Sequence, residues 1–349
     1  MRAEEFDAVL NYYFQNREFS GVVLLAKADS IIYQRAVGFS DYDLRTPNYV
    51  WSRFRIASLT KPIAATIAMR LVERGELDLD KTVRHYIPNY PKKTGNKITV
   101  ANLLSHSSGL PHYDGIQDFF AKYSTKSYKH DEFIKLFWDL DLLFPPGTKS
   151  QYSSFNYYLL GVILEKVTGK TWDQLVADEI TTPLGLTNTG VLTQAVIPDL
   201  VYGYARYSGP IERATFRDMS TALATGDIYS TAHDLLTFSR SFDNNLLVSE
   251  ESKRRMFRDF VPGFGYGFGW CITKTASPLT GSSDTMVWHL GGTNGFRSYI
   301  AKYVGDGLTI VMLSNYEFID QESLLENIRA VVAGRQTKLP DFSTRQSSK

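Results

Sequence analysis

The sequence predicts an α/β fold of the α+β kind, an antiparallel sheet flanked by terminal helices with a mostly helical second lobe inserted into it. Three observations carry that expectation. Apolar residues recur at helical spacing at both ends of the chain, in Phe6, Val9, Leu10, Tyr13 and Phe14 and again in Leu324, Leu325, Ile328 and Val331. Runs rich in β-formers follow residue 20 and return in the last third. Between about residues 77 and 210 the pattern is helix and long loop with little strand. The expected division is therefore 1–76 with 220–335 as an α/β lobe, 77–219 as a helical lobe, and 336–349 as a polar tail that frays.

Gly21 to Lys27 and Ile31 to Val37 read as strands of a hairpin turning at Ala28-Asp29-Ser30. A helix is expected from about Ser58 to Arg74, with Ile63, Ile67 and Leu71 on one side, Pro62 tolerated in its first turn, and Gly75 ending it. In the middle region, Val100 to Leu104, Glu132 to Trp138, Ser154 to Val167 and Trp172 to Ile180 are the periodic segments. Ser230-Thr231 with Asp234 caps a further helix, Ala232 to Phe242. Tyr266 to Lys274, Thr285 to His289, Ser298 to Val304 and Leu308 to Leu313 are expected strands, and Glu322 to Val332 is the closing helix.

At 349 residues the chain buries a full core without covalent staples. Its 38 basic and 37 acidic residues leave a formal charge of +1, which argues against a nucleic-acid partner. Cys271 is the single cysteine, so neither an internal disulfide nor a cysteine-based metal site is available. The apolar runs are too short for a transmembrane segment. Glu4, Glu5 and Asp7 stand where a secretory leader is basic, so the chain is expected to be intracellular or to have had an export signal trimmed.

Three segments carry candidate chemistry. Ser58-Leu59-Thr60-Lys61 opens a predicted helix, and residues three apart share a helix face, so the Lys61 amine reaches the Ser58 hydroxyl. A serine needs a neighbouring base to become a nucleophile, and lysine serves only if burial or positive charge lowers its pKa. Alone, the tetrapeptide reads rather as a capping serine beside a solvated lysine. Tyr152-Ser153-Ser154 follows Pro146-Gly147 and precedes a helix; a phenol working near neutral pH needs cationic neighbours, which Lys61 would supply, and otherwise Tyr152 is packing. His289-Leu290-Gly291-Gly292-Thr293-Asn294-Gly295 lies between predicted strands as backbone free to approach a ligand, or as a glycine-rich turn.

Other matches are set aside. Lys93-Thr94-Gly95 lies in a polar loop, and the alternation of Gly263, Gly265, Gly267 and Gly269 with aromatics reads as strand rather than phosphate loop. No G-x-S-x-G elbow is present, and the six histidines lack metal-ligand spacing, so no metal and no organic cofactor is expected.

Taken in order, these segments resemble the serine β-lactamase and penicillin-binding superfamily, in the branch of class C β-lactamases, D-Ala-D-Ala carboxypeptidases, D-aminopeptidases and family VIII carboxylesterases. Phe54 to Lys61 is similar to the first motif and its lead-in. Leu103-Leu104-Ser105-His106-Ser107-Ser108-Gly109-Leu110 resembles a second shared stretch, and Tyr229-Ser230-Thr231-Ala232 with Asp234-Leu235 a third. Tyr152 follows Ser58 by 94 residues and His289 follows Tyr152 by 137, in the family's order. The resemblance covers about residues 6 to 333. It implies a β-lactamase/transpeptidase-like fold, Ser58 as acylated nucleophile, Lys61 as its activating partner, and Tyr152 as the base that also passes a proton to the leaving group. The backbone N–H groups of Ser58 and Gly292 are the implied oxyanion hole. Ser154, His289, Leu290, Gly291 and Arg297 are the implied substrate contacts.

Three departures bear on substrate. Ser154 stands where the second motif usually ends in Asn, His289 where many relatives carry Lys, and Leu290 where a hydroxyl residue would meet a carboxylate. Arg297 either replaces that carboxylate anchor or is a solvated arginine at a strand end. These changes point away from efficient penicillin hydrolysis and toward small esters or D-amino-acid amides and peptides. A true β-lactamase or D,D-carboxypeptidase is the rival enzyme, and an idle binding or assembly module the rival of another kind, against which the intact Ser58, Lys61 and Tyr152 argue.

Overall fold

The computed structural model describes residues 3–206 and 210–342. Six strands form one antiparallel sheet: β1 (Gly21–Lys27), β2 (Ser30–Val37), β3 (Cys271–Ala276), β4 (Ser283–Thr293), β5 (Phe296–Tyr303) and β6 (Leu308–Ser314). Their spatial order is β3-β4-β5-β6-β1-β2. The two strand-rich regions of the sequence thus meet where β1 lies against β6, Gly21 opposite Ser314 and Lys27 opposite Leu308.

The principal helices are α1 (Ala3–Gln15), α2 (Thr60–Glu73), α3 (Val100–Leu104), α4 (Ser154–Thr168), α5 (Ala232–Arg240) and α6 (Gln321–Val332). Because successive strand residues face opposite sides, β1 divides its apolar run between two cores. Val23 and Leu25 join Ile310, Met312 and the apolar stripes of α1 and α6 on one face. Val22 and Leu24 join Val311, Leu313 and α2 on the other. Both faces of β1 and β6 are covered, which is why these strands read as continuous apolar runs rather than alternation.

Helix α2 departs from the one-sided stripe expected of it. Eleven of its residues, Thr60 to Met69 and Leu71, are buried, because α4 packs against it on the side away from the sheet. Caps are as the sequence indicates for α5, where Thr231 Oγ1 accepts from the Asp234 amide at 3.2 Å. Helix α3 begins with a reciprocal capping box between Thr99 and Asn102.

Four expectations are corrected. The Gly263–Gly269 segment is a loop, not a strand, because Gly263, Gly265 and Gly269 adopt positive φ of 90°, 68° and 82°. The third motif is strand, not turn: His289 to Thr293 complete β4, paired with β5 as far as Thr293 opposite Phe296. Only Asn294-Gly295 make the turn. The expected polar tail is docked over its first part. Lys338 exchanges backbone hydrogen bonds with the Asn327 side chain, Tyr12 Oη donates to Pro340 O at 2.6 Å, and Phe342 is buried against Tyr12 and Tyr13. Residues 343–349 of that tail lie outside the described residues. The helix expected at Glu132–Trp138 is shorter and earlier, at His130–Ile134. Among the described residues no helix is long and apolar enough to cross a membrane.

Phe342 is 1% exposed, so Phe342→Ala leaves a cavity between the terminal helices. A loss of about 3 kcal/mol in unfolding free energy is expected, read from the urea midpoint; an unchanged midpoint would show that the tail adds nothing to stability.

Candidate active site

Ser58 sits in a single 3-10 turn, Ala57–Leu59, that leads into α2. The turn is pinned from two sides. The Ile56 amide donates to Ile228 O at 3.0 Å, and Ser298 Oγ on β5 donates to Ile56 O at 2.7 Å. Ala57 is held at φ 49°, a left-handed conformation that disfavours a side chain. His106 and Ala224, at φ 55° and 54°, share that conformation around the same site, and such strain persists where packing over-determines it.

Lys61, in the first turn of α2, is fully buried. Its Nζ donates to Ser58 Oγ at 3.0 Å and to Thr225 O at 2.8 Å, and lies 5.0 Å from the centre of the Tyr152 ring. Burial lowers its pKa well below the ordinary lysine value, and the positive charge of Arg217 adds to the effect while Asp227 opposes it. The requirement that the sequence placed on a lysine base is met by both of its named causes.

Tyr152 precedes α4 in extended backbone. Its Oη donates to Ser58 Oγ at 2.7 Å, so the hydroxyl of Ser58 lies between Lys61 and Tyr152. The ring is 37% exposed along the cleft, whereas burial around the hydroxyl raises its pKa above the ordinary tyrosine value. The expectation that a cation would lower the phenol's pKa is therefore corrected: the nearby lysine is itself a poor cation. The segment is held by imidazoles. His106 Nδ1 accepts from the Ser153 amide at 3.3 Å and lies 3.0 Å from Asn156 Nδ2, and His112 Nδ1 accepts from the Ser154 amide at 3.0 Å. With Nδ1 of each as acceptor, both rings are neutral. Burial pushes the His112 pKa down to about 4 and that of His106 well below its usual value.

His289 is 2% exposed. Its Nδ1 donates to Leu290 O at 2.6 Å, leaving Nε2 to accept from Tyr266 Oη at 3.0 Å. Burial, followed by the field of Lys61, pushes its pKa down to about 3. His289 is thus an uncharged, hydrogen-bonded residue. Its partner Tyr266 comes from the glycine loop at Gly263–Gly269.

Gly291 explains how β4 reaches the nucleophile. A Cβ there would fall 2.4 Å from Ile56 O and 3.2 Å from the Ser58 amide nitrogen, so only glycine lets the strand close on the turn. Gly291 packs at that contact rather than lining the cleft. Gly292, the next residue, does line it, together with Ser58, Ser154, Leu290 and Arg297, in a depression of about 680 Å³. Leu290 is 42% exposed at the rim and Ser154 is buried. Arg297 is not a solvated strand end. It is half-buried with its guanidinium across Gly292, Nη1 donating to Phe296 O at 3.0 Å.

Sequence reasoning missed several residues here. Thr225 and Asp227 precede a recognised motif but carry no pattern of their own. His112 and Tyr113 follow the Leu103–Leu110 stretch, and Arg217 stands in no motif at all. Among the described residues no group of His, Cys, Asp or Glu is placed to hold a metal ion.

Comparison with known proteins agrees with this geometry. Residues 6–334 match the Beta-lactamase family. The chain is 27% identical over 350 residues to penicillin-binding protein 4* of Bacillus subtilis (strain 168), covering 94% of this chain and 75% of that one. It is 32% identical over 364 residues to esterase EstB of Burkholderia gladioli, covering 90% of each. The octameric penicillin-binding protein homologue from Pyrococcus abyssi shares the fold, with a TM-score of 0.83 at 23% identity over 99% of this chain and 81% of that one. With its motifs in order on this fold, the chain belongs to the Beta-lactamase family.

Proposed function

We propose that this serine hydrolase cleaves small carboxylic esters, and D-amino-acid amides or peptides, through an acyl-enzyme on Ser58. The observation that carries the reading is the placement of Ser58 Oγ between a buried Lys61 amine and a protonated Tyr152 hydroxyl. Ser58 Oγ attacks the substrate carbonyl as its proton passes to the neutral Lys61 amine. The carbonyl oxygen, now negative, is met by the N–H groups of Ser58 and Gly292, each such donor contributing about 3 to 4 kcal/mol to the transition state. Collapse breaks the bond to the leaving group, which takes the Tyr152 proton, and Tyr152 is reprotonated from Lys61. Water then repeats the sequence against the acyl-enzyme, releasing the acid and free Ser58. This order assigns the base role to Lys61, in place of the Tyr152 base that the resemblance implied, because burial disfavours the charged form of both groups.

Ser154, the uncharged His289 and the apolar Leu290 support esters over β-lactams. A penicillin carboxylate next to the third motif would meet neither a fixed cation on His289 nor a hydroxyl on Leu290. The seam between the sheet and residues 77–219 is the proposed position of the substrate.

Ser58→Ala is expected to abolish ester hydrolysis while leaving the circular dichroism spectrum unchanged. Lys61→Ala and Tyr152→Phe should each lower kcat/KM by about 10² to 10⁴, and the double variant should fall short of the product of the two, since groups in one proton path are not additive. Full multiplication would separate them.

The pH profile follows from the direction of the shifts. The active form has Lys61 neutral, so kcat/KM rises with pH through a lysine pKa lying well below 10.5. Tyr152 stays protonated beyond its ordinary range, so no alkaline fall is expected below about pH 10. His289, with a pKa of about 3, contributes no step between about pH 5 and 8, and the ratio of kcat/KM for anionic and neutral substrates should be flat there. A ratio falling through that window would show a protonated His289 beside the substrate.

Short-chain aryl esters should be turned over with a higher kcat/KM than benzylpenicillin or a cephalosporin. Efficient β-lactam hydrolysis without esterase activity is the outcome that overturns the substrate reading.

A further inference from the structure

The cleft contains a guanidinium with no counter-ion. Arg217 is 7% exposed and lines the same depression as Ser58 and Tyr152. Its Nε donates to Thr221 Oγ1 at 3.1 Å, and its Nη2 donates to Thr221 O at 3.1 Å and Tyr113 Oη at 2.8 Å. All three acceptors are neutral, and among the described residues Nη1 has no protein acceptor and no carboxylate pairs with the group. The part-buried Arg70, by contrast, closes on Glu179 at 2.7 Å.

An arginine cannot discard its proton, so a buried one lacking a carboxylate carries a desolvation penalty that three neutral hydrogen bonds and the faces of Tyr113 and Phe120 offset only in part. Three neutral hydrogen bonds fix the plane of the guanidinium, taking the Nε–H and both N–H groups of Nη2, and leave those of Nη1 as its free donors. A carboxylate that accepts from Nη1 there gains a charge-assisted hydrogen bond to a donor held in a fixed direction. The rings of Tyr113 and Phe120, 5.1 and 5.9 Å from the guanidinium carbon, supply an apolar wall for the body of a ligand.

We propose that Arg217 binds a free carboxylate of the substrate, so that the preferred substrates are esters or amides bearing a carboxylate besides the bond that is cleaved. This rests on the serine-hydrolase reading above and narrows its substrate class. Arg297, on the β5 side of the cleft, is the competing anchor. It differs in being only half-buried, with Glu317 lining the same cleft.

The test uses two matched pairs of esters. One pair carries the charge on the acyl side, p-nitrophenyl hemiadipate against its neutral methyl ester. The other carries it on the leaving group, 3-carboxyphenyl butyrate against its neutral methyl ester. Wild-type enzyme should favour the charged member of at least one pair by a factor of about 10 to 100 in kcat/KM, the size expected of a charge-assisted hydrogen bond, and the preference should shrink with added salt. In Arg217→Gln that ratio should collapse toward one, whereas Arg297→Gln should keep it. The ratio is the necessary readout, because losing Arg217 also lets Lys61 hold its proton more tightly and slows both members alike.

A wild-type ratio near one in both pairs overturns the proposal whether or not any variant folds. So does a ratio lost in Arg297→Gln and retained in Arg217→Gln. Should Arg217→Gln unfold for want of its bonds to Tyr113 and Thr221, Arg217→Lys keeps the charge and should retain part or all of the preference; complete loss in a folded Arg217→Lys counts against the proposal. If none of the four esters is hydrolysed, the hydrolase reading has failed, and calorimetric titration of adipate into wild type and Arg217→Gln then decides this proposal separately, binding lost in the variant supporting it and equal or absent binding overturning it.

Discussion

The site depends on keeping water away from Lys61. An ammonium at a fully buried position pays a large solvation penalty, so the protein tolerates the residue there because it need not be charged. Eleven buried residues of α2, the covering helix α4 and the rings of Tyr152 and Tyr157 produce that dryness. Thr225 O accepts a second hydrogen bond from the amine and so holds it within reach of Ser58 Oγ. Fold and chemistry are linked at this residue: the hydrophobic core lowers the lysine's pKa, which the proposed base role requires.

A second constraint is the approach of β4 to the nucleophile's turn. The sheet edge and α2 belong to segments more than two hundred residues apart, and they meet without an intervening side chain at Gly291. The Ser58 amide and the Gly292 backbone are then fixed by strand pairing and by the Ser298 bond to Ile56, which is the preorganisation that the proposed oxyanion donors require. Strain at Ala57, His106 and Ala224 is held in place by the same packing.

Much of this was legible in the sequence, and what was not has physical reasons. The hairpin at Ala28-Asp29-Ser30, the start of α2 and the capped α5 were readable because turn residues, helical spacing and side-chain caps act over a few residues. The resemblance carried Ser58, Lys61 and Tyr152, and the structure brings all three within hydrogen-bond reach. The Gly263–Gly269 loop was misread because alternation of residue identity mimics a strand's period while the glycine backbones take positive φ. Phe342 was hidden in a polar tail because its partners Tyr12 and Tyr13 lie more than three hundred residues earlier. The charge of His289 was open for a similar reason: its pKa is set by burial and by Lys61, which no local pattern records. Arg217 left no trace, since its meaning lies in a missing counter-ion.

That missing counter-ion joins the base to the substrate. The one carboxylate that acts on Lys61 is Asp227, itself buried, bonded to Trp172 Nε1 at 3.2 Å, with its pKa pushed up to about 7. Near neutral pH it therefore offers only part of a negative charge. Arg217 adds a full positive one, which lowers the lysine's pKa further. An overall charge of +1 conceals this arrangement, because the molecule's acids are placed elsewhere. The electrostatic condition that frees the Lys61 amine to accept a proton is a local excess of positive charge, and the same excess attracts an anion to the cleft. A carboxylate that docks on Arg217 cancels part of that field and raises the proton affinity of Lys61 at the moment the amine must take the proton of Ser58. Substrate charge and base strength are thus coupled through one guanidinium.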